Sequence, residues 1–238
     1  MSDAFNVATH VPMSRAGFEA WLESAPASPG SFGDWDQIYR GWYWAKSSPP
    51  RIPDAPSDAT VRALLAERVL DAETLPHVTL LRHVEDHLVF FDMKVIGPNH
   101  AHSLVSITLL RQTVTHLAPG AEGYILYWAE LGGHIPTESG VISMCRLDSR
   151  GSRFVTPTDL GTKAAVRTAL GSLQPASALL KKFAERISES SYPNPDVLSS
   201  PDFVDPFVFG GSPAEARKAR AKKPARKPVI KARGTRNR

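Results

Sequence analysis

The sequence predicts an α+β fold: one domain with a mixed β-sheet packed by several helices, ending in a disordered basic C-terminal tail. Three observations carry this reading. Apolar residues alternate with period two in some stretches and recur every three or four residues in others, the signatures of strands and helices. Paired strand-like runs lie close together as hairpins, while one strand–helix–strand passage calls for a crossover and parallel flanking strands. Charge is also unevenly placed. Residues 214–238 carry 11 Lys and Arg against one acid, a net of +10, whereas residues 1–213 carry 17 basic and 23 acidic residues, a net of −6.

Taken in order, Phe5, Val7, Thr9 and Val11 alternate with Asn6, Ala8 and His10, the period of a half-buried strand. Ser14 is placed to cap a helix over Arg15–Glu23, with Phe18, Trp21 and Leu22 on one face. The run APASPGSFG breaks the chain, and a Pro-rich loop follows at Ser47–Pro56. A helix is expected from Ser57 or Asp58 to Leu70, with Val61, Leu64, Leu65 and Val69 inward and Arg62, Glu67 and Arg68 outward. Val78–Val84 and Leu88–Ile96 read as a hairpin turning at Glu85-Asp86. A helix over Ala101–Leu117, ended by Pro119-Gly120, leads to a strand at Tyr124–Glu130. A second hairpin spans Gly140–Leu147 and Ser152–Thr156, and helices follow from Thr158 or Asp159 to Leu170 and from Pro175 to Ser188.

The domain is expected over residues 1–189. Residues 190–213 read as a Pro/Phe-rich linker or docking arm, and residues 214–238 as a tail of Lys, Arg, Ala and Pro too poor in apolar surface to order itself. Phe203, Val204, Phe207, Val208 and Phe209 are unusual in a linker: either they pack the arm back on the domain, the reading favoured here, or they dock on another protein or subunit.

Several groups could carry chemistry. In the tail, Arg217, Lys218, Arg220, Lys222, Lys223, Arg226, Lys227, Lys231 and Arg233 offer sequence-neutral contact with nucleic acid or another polyanion. The aromatic stretch at 34–46, with Trp35, Tyr39, Trp42 and Trp44, either anchors a protein partner or covers the end of the sheet, the simpler reading. Six of the eight histidines fall between residues 77 and 131. Of these, His83, His87, His100 and His102 are the alternative metal ligands, but a two-residue turn at Glu85-Asp86 would send His83 and His87 to opposite faces. Asp92-Met93-Lys94, inside VFFDMKVIG, resembles the acidic-x-Lys strand of the restriction-endonuclease-like nucleases. That resemblance implies Mg²⁺ on Asp92, a phosphate steadied by Lys94, and a second acid upstream, for which Asp86 and Asp71 are the candidates.

The lone Cys145 excludes an intrachain disulfide, and it sits in an apolar run, VISMC, as a core residue would. There is no G-x-S-x-G elbow, P-loop or dinucleotide fingerprint, so no cofactor is expected. With no apolar run of membrane-spanning length and no signal-peptide pattern at the start, the expected location is the cytoplasm. The expected function is non-enzymatic: a binding protein, of a layout that would suit an immunity or inhibitor protein, with another protein as partner and a polyanion-binding tail. A metal-dependent nuclease or hydrolase and a structural subunit are the alternatives.

Overall fold

The strand that opens the chain ends up at the centre of the sheet. In the computed structural model, which describes residues 5–38, 52, 54–70, 77–94, 100–129, 138, 140–155, 162–189 and 199–210, six strands form one sheet in the order β2-β3-β1-β4-β5-β6. They are β1 (Phe5–Pro12), β2 (His77–Val84), β3 (His87–Lys94), β4 (Gly123–Ala129), β5 (Val141–Asp148) and β6 (Gly151–Val155). Five α-helices accompany them: α1 (Arg15–Glu23), α2 (Val61–Leu70), α3 (His100–Arg111), α4 (Thr162–Leu173) and α5 (Ser177–Glu189). Aromatic residues Tyr39, Trp42 and Trp44, and the tail cations from Arg217 to Arg233, lie outside the described residues, as does Asp71.

Two sequence expectations are corrected here. The sheet is antiparallel between all six strands, not mixed. The β3–α3–β4 crossover does leave β3 and β4 running parallel, but β1 inserts between them and pairs antiparallel with both. The second correction concerns β1 itself. Helices cover both sheet faces, so Asn6 and Ala8 are as buried as Phe5 and Val7. On one face α1, α2 and α3 pack through Phe18, Trp21, Leu65, Val69, Leu104 and Ile107. On the other, α4 and α5 pack through Ala169, Leu173, Leu180, Phe183 and Ile187. Alternation in a central strand therefore separates two cores and not a core from water.

Local chemistry explains the boundaries. Ser14 caps α1 by accepting a hydrogen bond from the Gly17 amide at 3.1 Å. Helix α2 starts three residues later than expected, where the Thr60 hydroxyl accepts from the Ala63 amide at 3.1 Å. Helix α3 tightens into a 3-10 turn at Gln112–His116, and α4 begins at Thr162. The β2–β3 hairpin turns on two residues with positive φ, Glu85 (48°) and Asp86 (56°). That is the primed turn whose twist suits a hairpin.

Both edges of the sheet are covered. Residues 199–210 fold back on the body, so the folded part runs beyond residue 189. The Leu81 amide donates to the Phe203 carbonyl at 2.9 Å, and the Asp205 amide donates to the Leu81 carbonyl at 2.7 Å, in a parallel bridge along the outer side of β2. Phe203 inserts edge-on against Phe183, with ring centroids 5.0 Å apart. Asp205 takes a two-point ion pair from Arg15 at 2.6 and 3.1 Å. At the other edge, side chains take the place of a strand. The Asp34 carboxylate accepts from the Phe154 amide at 2.8 Å, and Arg111 donates to the Ser152 carbonyl at 3.0 Å. An unpaired strand edge invites association with other chains, and here each is occupied.

Candidate binding surface

Asp92, the acid singled out in the sequence, faces inward beneath α2 and α3. It is 1% exposed. Arg68 reaches it from the last turn of α2 at 2.7 Å, with only 9% of its own side chain exposed. Ser106 on α3 donates to the same carboxylate at 2.7 Å, and Thr79 on β2 donates at 3.3 Å. Arg68 also donates to the His102 carbonyl at 3.0 Å. The expectation that Arg68 faces outward is thus corrected: the end of its helix is pinned to the sheet by a buried ion pair. Such a carboxylate is engaged by a cation and two hydroxyls, which makes it a fastener between α2, α3 and β3. Asp86 lies at the hairpin turn, and the five residue steps from His87 to Asp92 along β3 span roughly 17 Å, so the two acids do not converge. Of Lys94 only the backbone is described; it pairs with His77.

The histidines divide in the same way. Val84 faces His87 and His83 faces Leu88, so the two rings project to opposite sides of the sheet. His83 donates from Nε2 to the Met13 carbonyl at 2.7 Å and packs on Phe18. His87 donates from Nδ1 to the Glu85 carbonyl at 2.7 Å and stacks on His10, rings parallel and 4.4 Å apart. His100 and His102 open α3, beyond the far end of β3. Among the described residues no three His, Cys, Asp or Glu side chains are grouped to hold a metal ion.

Trp35, expected either to anchor a partner or to cover the end of the sheet, packs at the sheet edge and stays half-buried there. Its ring lies 5.5 Å from Phe154, and with Phe32 and Phe154 it surrounds the Arg111 guanidinium at centroid distances of 4.3 to 5.2 Å. Arg111, 1% exposed, is also held by Asp34 at 2.6 Å. Of the arm residues, Phe203 is buried, while Phe207 and Phe209 are half-buried against the core.

The structure also brings together a set that sequence spacing did not reveal. On the face covered by α4 and α5, the strand register places Arg82, Val89 and His10 in one row, and Tyr124, Arg146 and Arg153 in another. Ala8 pairs with Leu126 and Thr9 with Ile125, so two residues further along β1 and two back along β4 from the Ala8 pair, His10 comes opposite Tyr124 and the two rows meet as a single line across the sheet. Neighbours in such a line have Cβ atoms about 5 Å apart. Arg146 and Arg153 keep roughly a third of their side chains exposed, and His10 and His87 are half-buried. The helices therefore leave this end of the face partly open.

Its electrostatics centre on Asp148. Arg153 grips that carboxylate with two donors at 3.1 and 2.8 Å, Arg146 approaches at 3.3 Å and Arg150 at 3.5 Å. The Arg153 hydrogen bonds hold the Asp148 carboxyl well below the usual carboxylate range despite its burial, with the Arg150 amide and guanidinium adding to the effect. Arg146 also pairs with Glu122, next to the Tyr124 hydroxyl. Burial pushes the Tyr124 phenol up from its ordinary value.

Burial, then the neighbouring His87, lowers the His10 pKa below 6.5. The unfolded chain then binds that proton more readily than the folded one, so stability is full above pH 6.5 and falls as pH drops through the folded value. Burial lowers His116 in the same direction. We expect urea midpoints to fall between pH 7.5 and 5.5, and His10→Gln to reduce that fall; an unchanged pH dependence in the variant would remove His10 as a contributor.

Neither family models, curated proteins nor solved structures give a match to this chain.

Proposed function

We propose that the chain is a non-enzymatic binding protein of the cytoplasm. Its folded body recognises another protein, in the manner of an immunity or inhibitor protein, and its cationic tail adds sequence-neutral contact with nucleic acid or another polyanion. The observation that carries this reading is the partly open line of guanidinium and ring groups on the sheet face, in a sequence whose C-terminal stretch is opposite in charge to the body. Two reactive groups among the described residues are engaged or suppressed. Asp92 is tied to Arg68, and burial pushes the Cys145 thiol up to about 12, leaving it protonated at neutral pH.

Pull-downs with the full chain and with a chain ending at Pro213 test the reading. A protein partner should be retained by both forms. Nucleic acid should be retained by the full chain alone, and a tail engaging six or more phosphates should lose roughly a thousandfold in affinity between 50 and 200 mM salt. Mg²⁺-dependent cleavage of DNA or RNA that Asp92→Asn abolishes would overturn the proposal in favour of a nuclease.

A further inference from the structure

We propose that the arginine cluster at the β5–β6 hairpin is the docking surface for an acidic segment of the protein partner, whose Asp or Glu carboxylates join Asp148 and Glu122 among the guanidiniums. Three arginines, Arg146, Arg150 and Arg153, lie within eight residues of a body whose net charge is −6. They face two acids, Asp148 and Glu122, so the cluster keeps one positive charge in excess. Asp148 already shows how a carboxylate is received here. Its two oxygens sit in the Arg153 fork, the geometry that makes arginine suited to carboxylates.

Donors are left for a second anion. A guanidinium carries five N–H groups; Arg153 directs two hydrogen bonds to Asp148 and Arg150 one. Arg150, 72% exposed, stands at the turn in front of the fork. Asp148, only 7% exposed, holds the cluster from below without covering it. Arg146 and Arg153 stand on paired strands and share Asp148 as an anchor, which lowers the cost of ordering them on binding.

A short acidic segment fits this island better than a nucleic acid. Exposed charges are felt over about 8–10 Å at physiological salt, so a local carboxylate pair meets mainly the arginines. A long polyphosphate extends beyond the cluster and meets a body whose net charge is −6, which disfavours it. The tail, with its net +10, is the better partner for that polyanion.

This inference rests on the proposed binding function, and amide mapping on the isotope-labelled full chain tests it separately. The probes are a capped hexaglutamate peptide and a single-stranded oligothymidylate of equal charge. We expect the peptide to shift the amides of residues 146–154. Arg150→Glu should weaken that response about fivefold, and Lys181→Glu, an equal charge change on the far side of α5, should leave it intact. Silent amides at 146–154, or equal weakening by both variants, would overturn the surface; an equal or stronger response there to the oligothymidylate would overturn the choice of occupant. If instead the binding function fails, the pull-down captures no protein whatever the amides show.

Discussion

Arg68→Ala should destabilise the fold by about 3–5 kcal/mol. The substitution leaves Asp92 charged and buried, with the Ser106 and Thr79 hydroxyls as its remaining named donors. Two hydroxyls do not replace a cation at 2.7 Å in a place where water cannot reach. The partner change Asp92→Ala should cost a similar amount, because it strands the Arg68 guanidinium under α3. Replacing both at once with apolar residues of similar volume, Arg68→Met with Asp92→Leu, should restore most of the loss, since the desolvation of two charges is then avoided as well. Urea denaturation of the four proteins checks this. A double variant no more stable than the worse single one would show that the pair contributes specificity of packing and not charge compensation. Were Arg68→Ala to cost under about 1 kcal/mol, as for a surface pair, the burial of this contact would be wrong.

Phe203→Ala should cost about 3–5 kcal/mol. The ring is 3% exposed and fills the space between Phe183 on α5 and the sheet, where Lys182 also lies over it at 5.9 Å. Deleting it opens a cavity and loosens the hydrogen bonds that hold the arm to Leu81. Phe207→Ala should cost clearly less, because that ring is only half-buried, and the contrast separates packing from a general effect of truncation. Thermal unfolding of both variants gives the comparison. A Phe203→Ala protein of unchanged stability that loses a binding partner would mean the arm is a docking element after all.

Local signals in the sequence were readable where a single residue decides the outcome. Ser14 begins a helix because its hydroxyl meets the Gly17 amide, and Glu85-Asp86 makes the two-residue turn, the simpler of the registers open to the strands, with both residues at positive φ. The half-buried reading of β1 failed for a reason of topology. Nothing within Phe5–Pro12 reports that helices will cover both sides of it. Arg68 and Asp92 failed together: each looks like a solvent-facing residue on its own amphipathic element, and only their approach across 24 positions of chain turns both inward. The same holds for the line of His10, Tyr124, Arg146 and Arg153. Its members are spread over four strands, so register, unknown until the sheet is assembled, is what aligns them. The Phe-rich arm was legible as an anomaly, since exposed aromatic residues need a reason, and the reason lies far upstream at Leu81.

Covering β2 with residues more than a hundred positions downstream sets an order of events during synthesis. Translation delivers β2 long before Phe203 and Asp205 exist, and domains begin folding from the N-terminus as they are made. The growing polypeptide therefore carries one raw flank until residues 203–205 leave the ribosome. Ribosomes stalled before residue 203, or messages cut short there, should yield chains that clump or need a chaperone to stay dispersed.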